Sequence, residues 1–176
     1  MPASAPLVPH LNPLSCQIVD QVRFIAATLK AGGEVYRLVK HHGRVFTVSG
    51  LPFPATLASR RGRGYAALLE ACFDNQSWHY AEGFVTTPSV PFPQPSGWVV
   101  DETGHVLAAA YASNLEGWQF FGIAFQSNFL VHRLTQGSRL PLLLAGIANE
   151  ISRLPDSEWK FTPSNAALVV KGKEMA

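Results

Sequence analysis

The sequence has few cysteines and few charged residues. Cys16 and Cys72 are the two cysteines among 176 residues, and no Cys-x-x-Cys or Cys/His spacing of a zinc site accompanies them. Charged residues make up 15% of the chain, and the formal net charge is +2. Because nucleic-acid binding usually needs a concentrated basic surface, we expect no nucleic-acid partner. We also expect no metal and no cofactor.

The sequence also lacks long hydrophobic runs. Its first residues, MPASAPLVPHLNP, do not combine a charged region with the apolar run of a secretory signal. No apolar stretch approaches the roughly 20 residues that a membrane helix needs. The apolar segment 140–148 is short and predicts a buried helix. These absences favour a cytoplasmic protein that does not span a membrane.

Hydrophobic residues are abundant, at 47% of the chain, and their spacing predicts one α+β domain. Helical spacing near both ends, with alternation between them, predicts a central, mostly antiparallel sheet packed with helices. We expect an extended N-terminal arm at 1–12, a single domain at 13–155 and a polar C-terminal tail at 156–176.

Local patterns predict the individual elements. The alternation in 34–50 predicts a hairpin with His41, His42 and Gly43 in its turn. The prolines of 88–95 predict a loop. Helices are expected from 13 to about 31, at 64–73, at 127–134 and at 140–154, strands at 77–87 and 118–125, and a second hairpin at 96–112.

The two cysteines are candidate nucleophiles. Cys16 falls in the first turn of a predicted helix, where the helix dipole and free N–H groups favour a thiolate. Cys72 lies on the apolar stripe of another predicted helix, which is typical of a buried core cysteine. His79 and His105 fall in or beside strands, so either is a candidate base. An active cysteine hydrolase or acyltransferase is therefore one hypothesis.

Glu82 is an unusual residue for a strand. It stands among apolar residues in YAEGF at 80–84. A buried carboxylate needs a partner, because burial without one is costly. Two roles stay open: a functional or site-supporting group, or a salt bridge or hydrogen bond to a loop backbone.

Three segments occur in an order that is typical of a known group of proteins. They are YAEGF at 80–84, GWVVDETGHVL at 97–107 and FFGIAF at 120–125. Together they resemble small bacterial and phage proteins with a papain-like or transglutaminase-like Cys-His-Asp core. In such a core a cysteine at a helix start attacks an acyl carbon, a histidine transfers the proton, and a carboxylate orients the histidine.

The resemblance implies that all three catalytic positions have been replaced. The nucleophile's place, at the helix start before Tyr65, is Gly64. The base's place, two residues before Trp98, is Ser96, and the place of the orienting carboxylate is Ala108. The resemblance thus implies a papain/transglutaminase-like fold without its usual chemistry.

Such a domain would keep a cleft that binds a protein or a small molecule. The residues that we expect to line this cleft are Tyr65, Tyr80, Glu82, Ser96, Trp98 and His105. This interpretation favours a non-catalytic binding protein, or pseudoenzyme. The alternatives are the cysteine hydrolase described above and a small phage- or bacterium-encoded inhibitor or interaction protein with an unrelated α+β fold.

Overall fold

The structure, a computed structural model, describes residues 13–50, 64–112 and 114–164, with 13–16 described by their backbone only. The predicted arm at 1–12 lies outside the described residues. The helices are α1 (Pro13–Thr28), α2 (Glu34–His42), α3 (Gly64–Asp74), α4 (Ser127–Thr135), a π-helical segment (Leu143–Ile147), α5 (Ala148–Ile151) and α6 (Asp156–Trp159). The strands are β1 (Arg44–Val48), β2 (Trp78–Thr86), β3 (Gln94–Asp101), β4 (His105–Ala109) and β5 (Gln119–Ala124).

The five strands close into a small barrel in the order β1-β4-β3-β2-β5. Neighbouring strands are antiparallel except β1 and β4, which run parallel. The pairing of β2 with β3 extends from Trp78 opposite Asp101 to Val85 opposite Gln94. The α+β class and the mostly antiparallel sheet are confirmed. The closure of the sheet into a barrel was not predicted from the sequence.

One face of each strand points into the barrel. All five strands contribute side chains to this interior cluster, where Trp98 is fully buried against the edges of Phe46 and Phe120. Two glycines make room for the indole. A Cβ at Gly122 would lie 2.6 Å from Trp98 Cη2, and a Cβ at Gly83 would lie 3.1 Å from the same atom. The narrow barrel holds a tryptophan because these facing positions carry no side chain.

The opposite faces of the strands pack against the helices. On β2, Tyr80 and Phe84 join the cluster formed with α1, α2 and α3, whereas Ala81 and Val85 join the interior cluster. This division follows from the two-residue period of a strand, in which successive side chains point to opposite faces. The fold therefore has a barrel interior and an outer layer between the barrel and the helices.

The predicted hairpin over 34–50 is wrong in its first half, because residues 34–42 form α2. An acidic residue in the first turn and three basic residues in the last turn match the dipole of a helix. Leu38 and Val39 form its buried side and belong to the outer layer. The sequence EVYRLVK fits both the two-residue period of a strand and the 3.6-residue period of a helix. Packing against the barrel favours the helix.

The other predicted elements lie near their expected positions, with two differences. The helix expected at 140–154 is divided into the π-helical segment and α5. The strand β3 begins at Gln94, inside the stretch that was expected to be a loop. Proline tolerates this place because the first residues of a strand do not all donate to the ladder.

The C-terminal tail predicted from residue 156 begins as part of the domain. Residues 156–159 form α6, and Trp159 is fully buried in the outer layer. The Oδ1 atom of Asp156 lies 2.9 Å from His42 Nδ1. The backbone amide of Phe161 donates a hydrogen bond to the carbonyl oxygen of Ala124 at 2.8 Å. The chain after Pro155 is therefore tied to α2 and to the barrel. Residues 165–176 lie outside the described residues.

Candidate functional site

The start of α3 lies directly against the β3–β4 hairpin. Gly64, the first residue of α3, has φ +68°, and a Cβ added there would clash with the hydroxyl of Tyr111, just after β4. The neighbouring Tyr65 packs over Gly97 of β3, where a Cβ would lie 2.7 Å from Tyr65 Cδ1 and 2.8 Å from the hydroxyl of Tyr80. We call the three side chains Tyr65, Tyr80 and Tyr111, together with Gly64 and Gly97, the tyrosine cluster.

Tyr111 is the exposed member of the tyrosine cluster. Its ring meets that of Tyr65 edge to face, with centroids 6.0 Å apart and an interplanar angle of 89°. The Tyr111 side chain is nevertheless 71% exposed, and its backbone has φ +60°. A bulky residue in this left-handed region is strained, and such strain concentrates at functional sites. Burial, followed by the charge of Glu82, raises the pKa of Tyr65.

Glu82 lies beneath the tyrosine cluster, fully buried in the outer layer. Its carboxylate accepts hydrogen bonds from the Tyr80 hydroxyl at 2.9 Å and from the backbone amides of Leu142 and Leu143 at 2.7 and 2.8 Å. Burial raises the pKa of Glu82 to about 7, against the lowering effect of these three donors. The backbone hydrogen bonds of Glu82 go to the start of the π-helical segment. A functional or site-supporting role for Glu82 stays a prediction.

Ser96 and Ala108 do not face each other. Ala108 lies opposite Val99 and belongs with it to the outer layer. Ser96 is two residues before Trp98, so strand alternation points it to the interior side of β3. The residue of β3 that faces α3 is Gly97. The structure therefore brings Gly64 close to Gly97 and Tyr111, while Ser96 and Ala108 lie on opposite faces of the hairpin.

Trp98 and His105 do not reach the tyrosine cluster. Trp98 fills the barrel interior, as described above. His105 begins β4 next to the turn of the hairpin, where its Nδ1 lies 2.6 Å from Thr103 Oγ1 and its amide donates to Asp101. Of the six residues expected to line one cleft, Tyr65, Tyr80 and Glu82 are together, and Ser96 lines a small cavity with Glu82.

Cys72 and His79 do not form a catalytic pair. Cys72 is buried in the outer layer, and burial raises the pKa of its thiol to about 12. His79 occupies the other face of β2 and stacks on Phe161, with ring centroids 3.4 Å apart. Burial lowers the pKa of His79. The side chain of Cys16 lies outside the part of the chain that is described.

The described ranges contain no group of three His, Cys, Asp or Glu side chains that could hold a metal ion. Within the same ranges, no helix is long and apolar enough to cross a membrane. Comparison with protein-family models, with curated proteins and with solved structures gives no match for this chain.

Two residues of the site were missed by sequence reasoning, Gly97 and Tyr111. Gly97 was visible only as part of a strand, and its role depends on the close approach of Tyr65 across the layer. Tyr111 follows three alanines in a segment without periodicity, and nothing local distinguishes it. A positive φ at a tyrosine cannot be read from the sequence.

Proposed function

We propose that the chain is a catalytically degenerate papain/transglutaminase-like domain that acts by binding, with the tyrosine cluster as its binding site. The observation that carries the proposal is the contact of the α3 start with the β3–β4 hairpin, through Gly64 with Tyr111 and Tyr65 with Gly97. In the resemblance, these are the elements that bear the nucleophile, the base and the orienting carboxylate. Here they meet without any of these groups.

The residues at the meeting point support a loss of nucleophilic chemistry. Gly64 and Gly97 carry no side chain, and Ala108 carries a methyl group. The hydroxyl of Ser96 lies 3.4 Å from the carbonyl oxygen of the adjacent Gly97. Nucleophilic catalysis needs an activated nucleophile that is hydrogen-bonded to a base. The residues at these positions supply neither the nucleophile nor the base. The buried, high-pKa thiol of Cys72 does not replace them.

The tyrosine cluster supports a role in binding. Tyrosine combines a large apolar ring with a hydroxyl and loses little conformational entropy on binding, so exposed tyrosines often anchor ligands. Tyr111 offers such a ring, held against Tyr65 by an edge contact. Enzymes of the kind that the chain resembles act on acyl groups and peptides. A peptide segment, free or within a protein, is therefore the ligand that we propose.

The test is a backbone amide NMR titration of the full chain with a pool of blocked tetrapeptides at millimolar concentration. We expect shifts centred on Gly64, Tyr65, Gly97 and Tyr111, which Tyr111→Ala abolishes. The matched control is Phe24→Ala, since Phe24 is 70% exposed but lies on α1. Shifts that avoid the tyrosine cluster, or that survive Tyr111→Ala, would contradict the proposal.

A further inference from the structure

A second concave site lies on a different part of the fold and is independent of the tyrosine cluster. It is a groove of about 640 Å³ between α4 and the segment that carries α5 and α6. Sites for small ligands usually enclose about 300–1,000 Å³. The lining residues on which the proposal rests are Phe129, Arg133, Glu150, Leu154 and Glu158.

Arg133 is the central charged group of this groove. It is only 9% exposed, and its Nη2 donates to Glu150 Oε1 at 2.7 Å. Its guanidinium also lies 5.4 Å from the centroid of the Phe129 ring. Arg133 lines the groove. A carboxylate is the group whose geometry best matches a guanidinium, so the site favours a ligand that brings an acceptor oxygen to Arg133.

The charges around the groove restrict the class of ligand. The groove is lined by one guanidinium, that of Arg133, and by the carboxylates of Glu150 and Glu158, which are both exposed residues. A free phosphate would meet two carboxylates, and a simple cation would meet Arg133. A molecule with a carboxylate and an ammonium group a few bonds apart satisfies both signs. Phe129 and Leu154 supply an apolar surface for a side chain.

We propose that this groove binds a free α-amino acid with an apolar side chain. The carboxylate of the ligand is directed to the guanidinium of Arg133, and the ammonium to Glu150 and Glu158. The apolar side chain lies against Phe129 and Leu154. Recognition of both ends at once distinguishes a free amino acid from a residue inside a peptide, in which both groups are blocked.

The test is isothermal titration calorimetry of the full chain with L-leucine, L-methionine and L-phenylalanine. The matched probes are the corresponding amides, which lack the carboxylate, and the N-acetyl amino acids, which lack the ammonium. We expect at least one amino acid to bind, and both of its blocked forms to bind about tenfold more weakly or not at all. Equal binding of the blocked forms, or no binding by any of the three amino acids at millimolar concentration, overturns the proposal.

Two variants locate the binding. Arg133→Lys keeps the positive charge but removes the planar guanidinium, and it is expected to weaken binding about tenfold. Glu158→Gln changes an exposed residue and leaves the Arg133–Glu150 pair intact. If Arg133→Lys does not fold, weaker amino-acid binding by Glu158→Gln still tests whether the ligand binds in this groove. Glu116→Gln, an exposed substitution outside the groove, is the control. Amino-acid binding that neither groove variant weakens would show that the site lies elsewhere and would refute the assignment.

Discussion

The carboxylate of Glu82 accepts a 2.7 Å hydrogen bond from the backbone amide of Leu142, a residue 60 positions away in the chain. Together with the bonds from Leu143 and Tyr80, this contact joins the barrel to the segment that follows α4. Among the described residues, no cationic side chain pairs with this buried carboxylate. Amide and phenol dipoles alone stabilise its charge, which is why burial can still raise its pKa.

Glu82 is expected to make the stability of the protein depend on pH. Its pKa is about 7 in the folded protein against a usual value of 4.5, so between these pH values the folded protein binds more protons than the unfolded one. The stability contributed by Glu82 is then fully present below pH 4.5 and is lost as the pH rises through 7. The expected loss is about 3 kcal/mol in the free energy of unfolding.

Urea unfolding at pH 5 and at pH 8 measures this effect. Because other groups also titrate in this range, the informative quantity is the difference between the wild type and Glu82→Gln, which removes the titrating group. The exposed Glu116→Gln variant should retain the pH dependence of the wild type. A Glu82→Gln variant with the same pH dependence as the wild type would show that Glu82 does not titrate there.

Gly122 is expected to tolerate no side chain. An added Cβ would clash with the carbonyl oxygen of Glu82 and would lie 2.6 Å from Trp98 Cη2, in a barrel interior without room for either group to move. Gly122→Ala should therefore lower the free energy of unfolding by about 1–3 kcal/mol or more. The control is Gly50→Ala, since no other described residue lies within 4 Å of a Cβ at Gly50. Equal thermal stability of the two variants would contradict the packing described here.

Cys72 is expected to be inert in the folded protein. The residue is 3% exposed and burial raises the pKa of its thiol to about 12, so the thiolate that reacts with iodoacetamide is both rare and inaccessible. In a Cys16→Ser background, labelling at pH 8 should be slow in buffer and fast in urea. The same experiment on a Cys72→Ser background reports on Cys16. Fast native labelling of Cys72 would revive the hypothesis of a cysteine hydrolase that uses it.

Position 64 offers a direct test of access to the α3 start. Gly64→Cys places a thiol where Tyr111 now covers the backbone, and the left-handed φ of +68° adds strain of roughly 1 kcal/mol. We expect the new thiol to react slowly with iodoacetamide and to react faster when Tyr111→Ala is added. Phe24→Ala in the same background is the control. An equal rate with and without the Tyr111 ring would mean that Tyr111 does not cover position 64.

Local sequence patterns were sufficient for the elements whose periodicity is unambiguous. The alternation of β2 and β5, the apolar stripe of α3 and the turn between β3 and β4 are all legible without tertiary information. The structure of the segment 34–42 could not be predicted in this way, because its residues fit an alternating strand and a short amphipathic helix equally well. Packing of Leu38 and Val39 against the outer layer decides between them.

The candidate site was only partly legible. The helix start at Gly64 and the neighbouring Tyr65 could be located, since a glycine before an apolar helical run marks a helix boundary. The sequence did not show which of Ser96 and Gly97 faces that helix, because a register difference of one residue exchanges the two faces of a strand. The hydrogen-bond partner of Glu82 could not be predicted from the sequence either, since it is a backbone amide 60 residues away.

The sequence by itself determined the α+β composition, most of the helices and strands, and the lack of a cysteine or histidine at the three positions suggested by the resemblance. Those properties depend on residue identity and on spacing over a few residues. Only the tertiary structure decided the closure of the barrel around Trp98, the meeting of Gly64 with Tyr111, and the burial of Glu82 beneath Leu142 and Leu143. These depend on contacts between residues far apart in the chain, which local periodicity does not encode.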